Sequence, residues 1–128
     1  MLDKATLARF GARLDQRRTE LEQDIRGKLA AAREVTGSAA IDQIIEGGDY
    51  ANADLIATVD IAEVQRDIVE LRELNAARAR LAAGTYGVCA DCSVDIAPAR
   101  LEAYPTAIRC TDCQARVESR KGTTHSRL

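Results

Sequence analysis

Two pairs of cysteines decide how the second half of this chain folds: CADC at residues 89–92 is followed, after seventeen residues, by CTDC at residues 110–113. Two residues between cysteines allow a tight turn to bring both sulfurs to one ion, and two such turns supply four thiolates in a tetrahedron, which suits zinc. The sequence therefore predicts one Zn²⁺ ion held by Cys89, Cys92, Cys110 and Cys113. Because four protein ligands fill the coordination shell, this zinc is expected to be structural, with no position for a catalytic water.

Three alternatives for the cysteines stay open: an iron centre with the same ligands, four buried or unpaired thiols, and disulfides. The chain begins MLDK, without the apolar run of a signal peptide, and no stretch approaches the roughly 20 apolar residues of a membrane span. We therefore expect a cytoplasmic protein that does not bind a membrane, and reducing conditions there favour thiolate ligands over disulfides. His125, the only histidine, follows the complete ligand set and is expected to be solvated.

Ahead of the cysteines, the sequence predicts two long helices. Hydrophobic residues make up 46% of the 128 residues but aromatic residues only 3%, so side chains for a thick globular core are scarce. Apolar residues at steps of three and four predict a helix over residues 3–35, roughly 50 Å long, and a second over residues 53–83, capped by Asp54 or Asn52. Such helices need a partner, so we expect an antiparallel coiled-coil hairpin. The alternative, a three-helix bundle, lacks a third long helix.

The predicted fold is thus mainly α, a long antiparallel helical hairpin followed by a small four-cysteine zinc finger. Residues 1–83 form the hairpin, with an acidic tip around residues 36–52. Residues 84–128 form the finger, a C-terminal helix to about Arg120, and a tail. The tip holds three glycines, three carboxylates and a short helical turn, and the pattern alone is typical of a solvated hairpin turn.

Charge and composition limit the function. The net charge of −2 and a pI of about 5.4 lack the basic excess of a dedicated nucleic-acid binder. With one histidine, the sequence offers no Ser–His–Asp or Cys–His arrangement, and we expect no enzymatic activity. A zinc ribbon that binds nucleic acid and a module that senses oxidation through its thiolates remain alternative functions.

At the level of motifs, the chain closely resembles the DksA/TraR family of zinc-finger proteins. The matching stretches are GTYGVCADC at residues 84–92, Ile96, RLEAYPTA at residues 100–107 and CTDC at residues 110–113. The long hairpin resembles the DksA branch in particular. The resemblance implies a monomeric regulator that binds bacterial RNA polymerase without contacting promoter DNA. It also implies that the coiled coil enters the secondary channel, where acidic tip residues alter open-complex lifetime and initiation.

The resemblance carries over to particular tip residues. The DksA branch has the tip pattern Asp-x-x-Asp-x-Ala, which here matches Glu46, Asp49 and Ala51, with Glu46 in place of the first Asp. These three residues are therefore the expected polymerase-modulating tip. Arg66 matches a basic position of the second helix and is the expected alarmone or polymerase contact.

Three residues depart from the family pattern. Glu73 and Gln114 stand where the resemblance implies lysines that serve the alarmone ppGpp, so the likeness to a ppGpp-responsive protein is incomplete. Ser93 stands where the family usually has glycine after the second cysteine. That position often requires a positive φ, so we expect Ser93 to cost around 1 kcal/mol.

Overall fold

The computed structural model describes residues 2–52 and 61–125, and these are mainly helical. Its elements are α1 (Lys4–Thr36), α2 (Ala39–Gly47), a 3-10 helix (Tyr50–Asn52), α3 (Ala62–Ala83), α4 (Pro98–Ala103) and α5 (Thr111–His125). The predicted mainly α fold, with its long N-terminal helix and small finger, is confirmed. The predicted start of the second helix and one of its suggested caps, Asp54, lie outside the described residues.

The chain divides into two compact units, one formed by Met1–Leu14 with Ala77–Leu128 and the other by Asp15–Ala76. Both long helices run through this division, so each contributes residues to each unit. The sequence-based boundary between residues 83 and 84 stays a prediction.

Capping fixes both ends of α1. At its start, the Asp3 carboxylate accepts a hydrogen bond from the backbone N–H of Thr6 (2.7 Å), and this bond lowers the pKa of Asp3. At its end, Gly37 takes the left-handed conformation (φ 68°) and donates its N–H to the carbonyl of Arg33 (2.8 Å). The helix between these ends has 33 residues, which corresponds to about 50 Å.

In the unit Asp15–Ala76, α1 and α3 lie antiparallel. The buried side chains of the two helices are Leu21, Ile25, Leu29, Val64, Ile68, Leu71 and Leu74. Arg17 interrupts the apolar stripe of α1, and it bonds Glu70 through both Nε (2.6 Å) and Nη2 (2.9 Å). Further along α1, Lys28 bonds Asp67 (2.7 Å). In these pairs the residue number rises on α1 as it falls on α3, which is the order expected of antiparallel helices.

The segment predicted as the tip, residues 36–52, contains a full helix where the sequence predicted a short helical turn. Ser38 caps α2 by accepting the N–H of Ile41 (3.4 Å), and Ile41 is buried. Gly48, in the left-handed conformation (φ 68°), ends the helix by donating its N–H to the carbonyl of Ile44 (3.1 Å). Two residues, Gly48 and Asp49, separate α2 from the 3-10 helix.

The unit that contains the cysteines has its own small core. Its largest buried side chains are Phe10, Leu14, Tyr86, Ile96 and Leu101. The rings of Phe10 and Tyr86 lie 5.7 Å apart between centroids, within the range of favourable aromatic pairs. Glu102 accepts hydrogen bonds from Arg9 and from Arg13 (3.1 Å), and the bond from Arg9 lowers the pKa of Glu102. The first turns of α1 are thereby held against the finger.

The last helix is longer than predicted, since α5 continues past Arg120 to His125. Gly122 does not end it, because one glycine costs only about 1 kcal/mol within a helix. As for membranes, none of the helices in the described part of the chain is both long and apolar enough to span one.

Candidate metal centre and tip site

The four cysteine sulfurs lie within 4.8 Å of one another. Cys89 and Cys92 lie on a turn between Val88 and Asp95, which form an antiparallel bridge, and Cys110 and Cys113 lie at the start of α5. Cys89 and Cys113 are buried, Cys110 is half-buried and Cys92 is exposed. The structure therefore brings together all four residues that the sequence predicts as ligands.

A left-handed residue closes the first cysteine turn. Ser93 has φ 65° and donates its N–H to the carbonyl of Cys89 (3.0 Å), while Cys89 donates its own N–H to the carbonyl of Val94 (2.8 Å). These bonds fold the chain back immediately after Cys92. The positive φ expected at Ser93 is thus present, although serine has the Cβ atom that disfavours it.

Backbone and side-chain bonds join the two cysteine turns. Ala90 donates its N–H to the carbonyl of Ile108 (2.8 Å), and Arg109 pairs through Nε with Asp91 (2.7 Å). Arg100, on α4, donates from Nε to the carbonyl of Arg109 (3.0 Å). The two residues just before Cys110 are therefore bonded to the two residues between Cys89 and Cys92 and to α4.

The residues just before the first cysteine turn are closely packed. Tyr86 is buried and donates its hydroxyl to the carbonyl of Pro105 (2.7 Å); burial raises the pKa of this tyrosine to about 12. Gly87 has φ 84°, and a Cβ there would lie 3.2 Å from Cδ1 of Leu2. Glycine is required at this position both by its backbone conformation and by the close approach of Leu2.

The electrostatics of the cluster call for a cation. Burial opposes ionisation of Cys89, but the N–H groups of Cys110, Cys92 and Asp91 outweigh it and lower the pKa of Cys89 to about 6. Hydrogen bonding with Cys110, together with burial, raises the pKa of Cys113 to about 12. Four adjacent thiolates repel one another, and a divalent ion at their centre removes that repulsion. A set of four sulfur donors at these distances fits zinc and leaves its shell closed.

At the predicted tip, the structure separates two exposed carboxylates from a buried alanine. Glu46 lies in the last turn of α2 and Asp49 follows Gly48, and both acidic residues are exposed. Ala51 is only 7% exposed and lies in the 3-10 helix. Arg66 is exposed on α3 and has no ion-pair partner within residues 2–52 and 61–125.

The sequence interpretation missed one residue that bonds the tip, Arg72 of α3. Glu70, two residues before Arg72, pairs with Arg17 of α1. Arg72 instead donates from Nε to the carbonyl of Ala51 (2.7 Å). The sequence contains no local signal for this bond, because its two ends are 21 residues apart and the acceptor is backbone.

Comparisons with known proteins match the finger by sequence and most of the chain by structure. Residues 84–119 match the family model of the prokaryotic dksA/traR C4-type zinc finger. An uncharacterised 8.2 kDa protein encoded in the gpA 5′ region of Escherichia phage P2 is 40% identical over 60 residues, which are 47% of this chain and 80% of that protein. An uncharacterised protein of Aquifex aeolicus (strain VF5) is 39% identical over 57 residues, which are 44% of this chain and 39% of that protein.

The fold is also that of a solved structure. Transcription factor DksA2 from Pseudomonas aeruginosa superposes with a TM-score of 0.70 and 25% sequence identity, over 93% of this chain and 88% of that one. The C4-type finger and the clustered sulfurs together confirm the predicted structural zinc ion. From its finger motif, its hairpin fold and its relatives, this chain is a member of the DksA/TraR family of zinc-finger proteins.

Proposed function

We propose that this protein regulates transcription initiation by binding bacterial RNA polymerase, with its acidic tip in the secondary channel. Two findings support a role in transcription: membership of the DksA/TraR family, and a fold shared over 93% of the chain with a protein described as a transcription factor. The proposed partner is the polymerase itself, with no contact to promoter DNA. The net charge of −2 is consistent with this, because DNA binding draws most of its affinity from basic residues.

The observation that carries the proposal is the presentation of Glu46 and Asp49. Both side chains are exposed, and they flank the residue that ends α2, Gly48. The chain on either side is fixed, since α2 is capped at both ends and Tyr50 is buried. Two carboxylates on an ordered turn can act at short range on a catalytic magnesium ion or on basic polymerase loops.

The zinc ion and Arg66 support the action of the tip. The zinc ion holds the finger together and takes no part in chemistry, so the protein acts as a regulator rather than as an enzyme. Arg66, exposed on α3, is a proposed contact with polymerase. We propose a monomer that works in the cytoplasm, where polymerase is found and thiolate ligands stay reduced. Response to ppGpp is not part of the proposal, because Glu73 and Gln114 replace expected lysines.

The test separates binding from regulation. Glu46→Gln and Asp49→Asn remove one charge each with little change in shape. We expect each variant to bind polymerase like the wild type. Its effect on open-complex lifetime should fall roughly tenfold, because a charge-assisted contact is worth about 1.4 kcal/mol. Pull-down of purified polymerase and a run-off assay measure the two properties.

Asp24→Asn is the matched control, since Asp24 is an exposed acidic residue in the middle of α1. It should leave both properties unchanged. The tip mechanism is wrong if the two tip variants keep full activity in the run-off assay. Failure of the wild type to bind polymerase would remove the proposed function altogether.

A further inference from the structure

A side chain of the second long helix bonds the backbone of the 3-10 helix at the tip. Arg72, on α3, donates from Nε to the carbonyl oxygen of Ala51 at 2.7 Å. Arg72 is itself an exposed residue, whereas Ala51 and its neighbour Tyr50 are 7% and 4% exposed. A guanidinium bonded to a backbone carbonyl fixes the main chain directly, whichever side chain stands at position 51.

That bond lies next to the tip carboxylates in the chain. Only Gly48 and Asp49 separate α2 from the 3-10 helix, so the position of the 3-10 helix sets the position of the Asp49 backbone. At the other end of the segment, Arg33 of α1 pairs with Asp42 of α2 at 2.7 Å. The tip is thus held from both long helices, by an ion pair near its start and by a charge-assisted bond near its end.

The two ties differ in strength. Arg33 and Asp42 are each 40% exposed in their side chains, and exposed ion pairs between charged side chains contribute little. The bond from Arg72 is charge-assisted and ends on a residue that is only 7% exposed. Loss of Arg72 therefore removes a charge-assisted bond to the backbone near the end of the tip segment.

We propose that Arg72 is a positioning residue for the regulatory tip: it holds the Ala51 carbonyl and so fixes Glu46 and Asp49 in the geometry that acts on polymerase. This inference rests on the proposed function. It assigns Arg72 no contact with polymerase. The apolar packing of α1 on α3 does not include the Arg72 side chain, so its removal is expected to loosen the tip and to leave the helices folded.

The first experiment measures the free protein. Arg72→Met keeps an unbranched stem but removes the hydrogen-bond donors, and Arg72→Lys restores a cationic donor. We expect backbone amide exchange at residues 47–51 to be roughly fivefold faster in Arg72→Met, less affected in Arg72→Lys, and unchanged over residues 15–30. Arg26→Met is the control, because Arg26 is exposed on α1 and has no ion-pair partner in the described part of the chain.

The second experiment measures regulation with the same variants. Arg72→Met should bind polymerase within about twofold of wild type but lose roughly fivefold of its effect on open-complex lifetime, with partial rescue in Arg72→Lys. If Arg72 acts only through the two tip carboxylates, adding Arg72→Met to the double variant Glu46→Gln with Asp49→Asn causes no further loss of regulation. A purely destabilising substitution would instead add its own loss to that of the double variant.

The outcomes distinguish this inference from the proposed function. Unchanged amide exchange in Arg72→Met overturns the inference, whatever the transcription assay gives. Full regulation by Arg72→Met, in an assay where Asp49→Asn is inactive, also overturns it and leaves the proposed function standing. Full regulation by Asp49→Asn and Glu46→Gln together overturns the proposed function and, with it, any regulatory role of Arg72.

Discussion

Ser93 shows how a single residue is held in an unfavourable conformation by the turn around it. It is the one non-glycine residue with positive φ in the described part of the chain (φ 65°), and its N–H bonds the carbonyl of the zinc ligand Cys89 (3.0 Å). A side chain at such a φ costs about 1–2 kcal/mol, part of which glycine would recover. The folded finger keeps this unfavourable φ because the cysteine turn requires a left-handed residue at position 93.

We therefore expect Ser93→Gly to stabilise the zinc finger by about 0.5–1 kcal/mol, since relief of the strained φ exceeds the extra flexibility of glycine in the unfolded chain. Competition with a zinc chelator should show roughly two- to fivefold tighter zinc binding. Ala90→Gly is the control, because Ala90 lies on the same turn without a positive φ and should weaken the finger. Equal effects of the two substitutions would show that φ at Ser93 is not the cause.

Single residues also mark where sequence interpretation succeeds and fails. The clustering of the four cysteines follows from their spacing, because one metal ion needs all four thiolates. The positive φ at Ser93 was expected from the family resemblance, since the family usually has glycine at this position. Arg72 could not be found in this way. Its partner is a carbonyl 21 residues away, and no residue type at either end distinguishes this bond from solvated charge on a helix.

Of the helices in the described part of the chain, α2 was predicted least completely from the sequence. The sequence indicated a short helical turn around Ile41, and the structure has a nine-residue helix, Ala39–Gly47. The caps explain the difference, since Ser38 and Gly48 satisfy backbone groups at the two ends and allow a helix too short to form alone. The long helices needed no such detail, because their apolar periodicity extends over many turns.

The adjacent glycines of α2 are expected to respond in opposite ways to alanine. A Cβ at Gly47 would meet nothing within 4 Å at an ordinary φ, so Gly47→Ala should stabilise the helix by about 0.5–1 kcal/mol. Gly48 ends the helix at φ 68°, so Gly48→Ala should destabilise it by about 1 kcal/mol. Amide exchange within α2 measures both.

Wild type and both variants should have the same exchange in the middle of α1, which serves as the internal reference. Stabilisation by Gly48→Ala would contradict the assignment of Gly48 as the residue that ends α2. Because Glu46 and Asp49 flank these glycines, the two variants also report how far an altered backbone at the tip changes regulation.

For the whole molecule, removal of zinc is expected to affect the two compact units differently. The unit Met1–Leu14 with Ala77–Leu128 has a small apolar core and depends on the metal, and structural zinc contributes about 10–16 kcal/mol of apparent binding free energy at neutral pH. Asp15–Ala76 has its own apolar core between α1 and α3 and contains no cysteine. Chelation should unfold the first unit and leave the second helical.

Far-UV circular dichroism and amide exchange check this expectation. After chelation, protection should be lost over residues 3–14 and 77–120 and retained at Ile25 and Ile68, which are buried between α1 and α3. Cys110→Ser should reproduce the effect without a chelator. Complete collapse of the helical signal, or no change at all, would contradict independent stability of Asp15–Ala76.

The membership of α1 in both compact units has a consequence for biosynthesis. Phe10 and Leu14 are synthesised early relative to Tyr86, the ring that packs on Phe10, which is added more than seventy residues later. Residues 15–76 can associate while translation continues, whereas the side chains of Phe10 and Leu14 wait for the segment that begins at Ala77. Metal capture, which needs Cys113, therefore follows the association of residues 15–76.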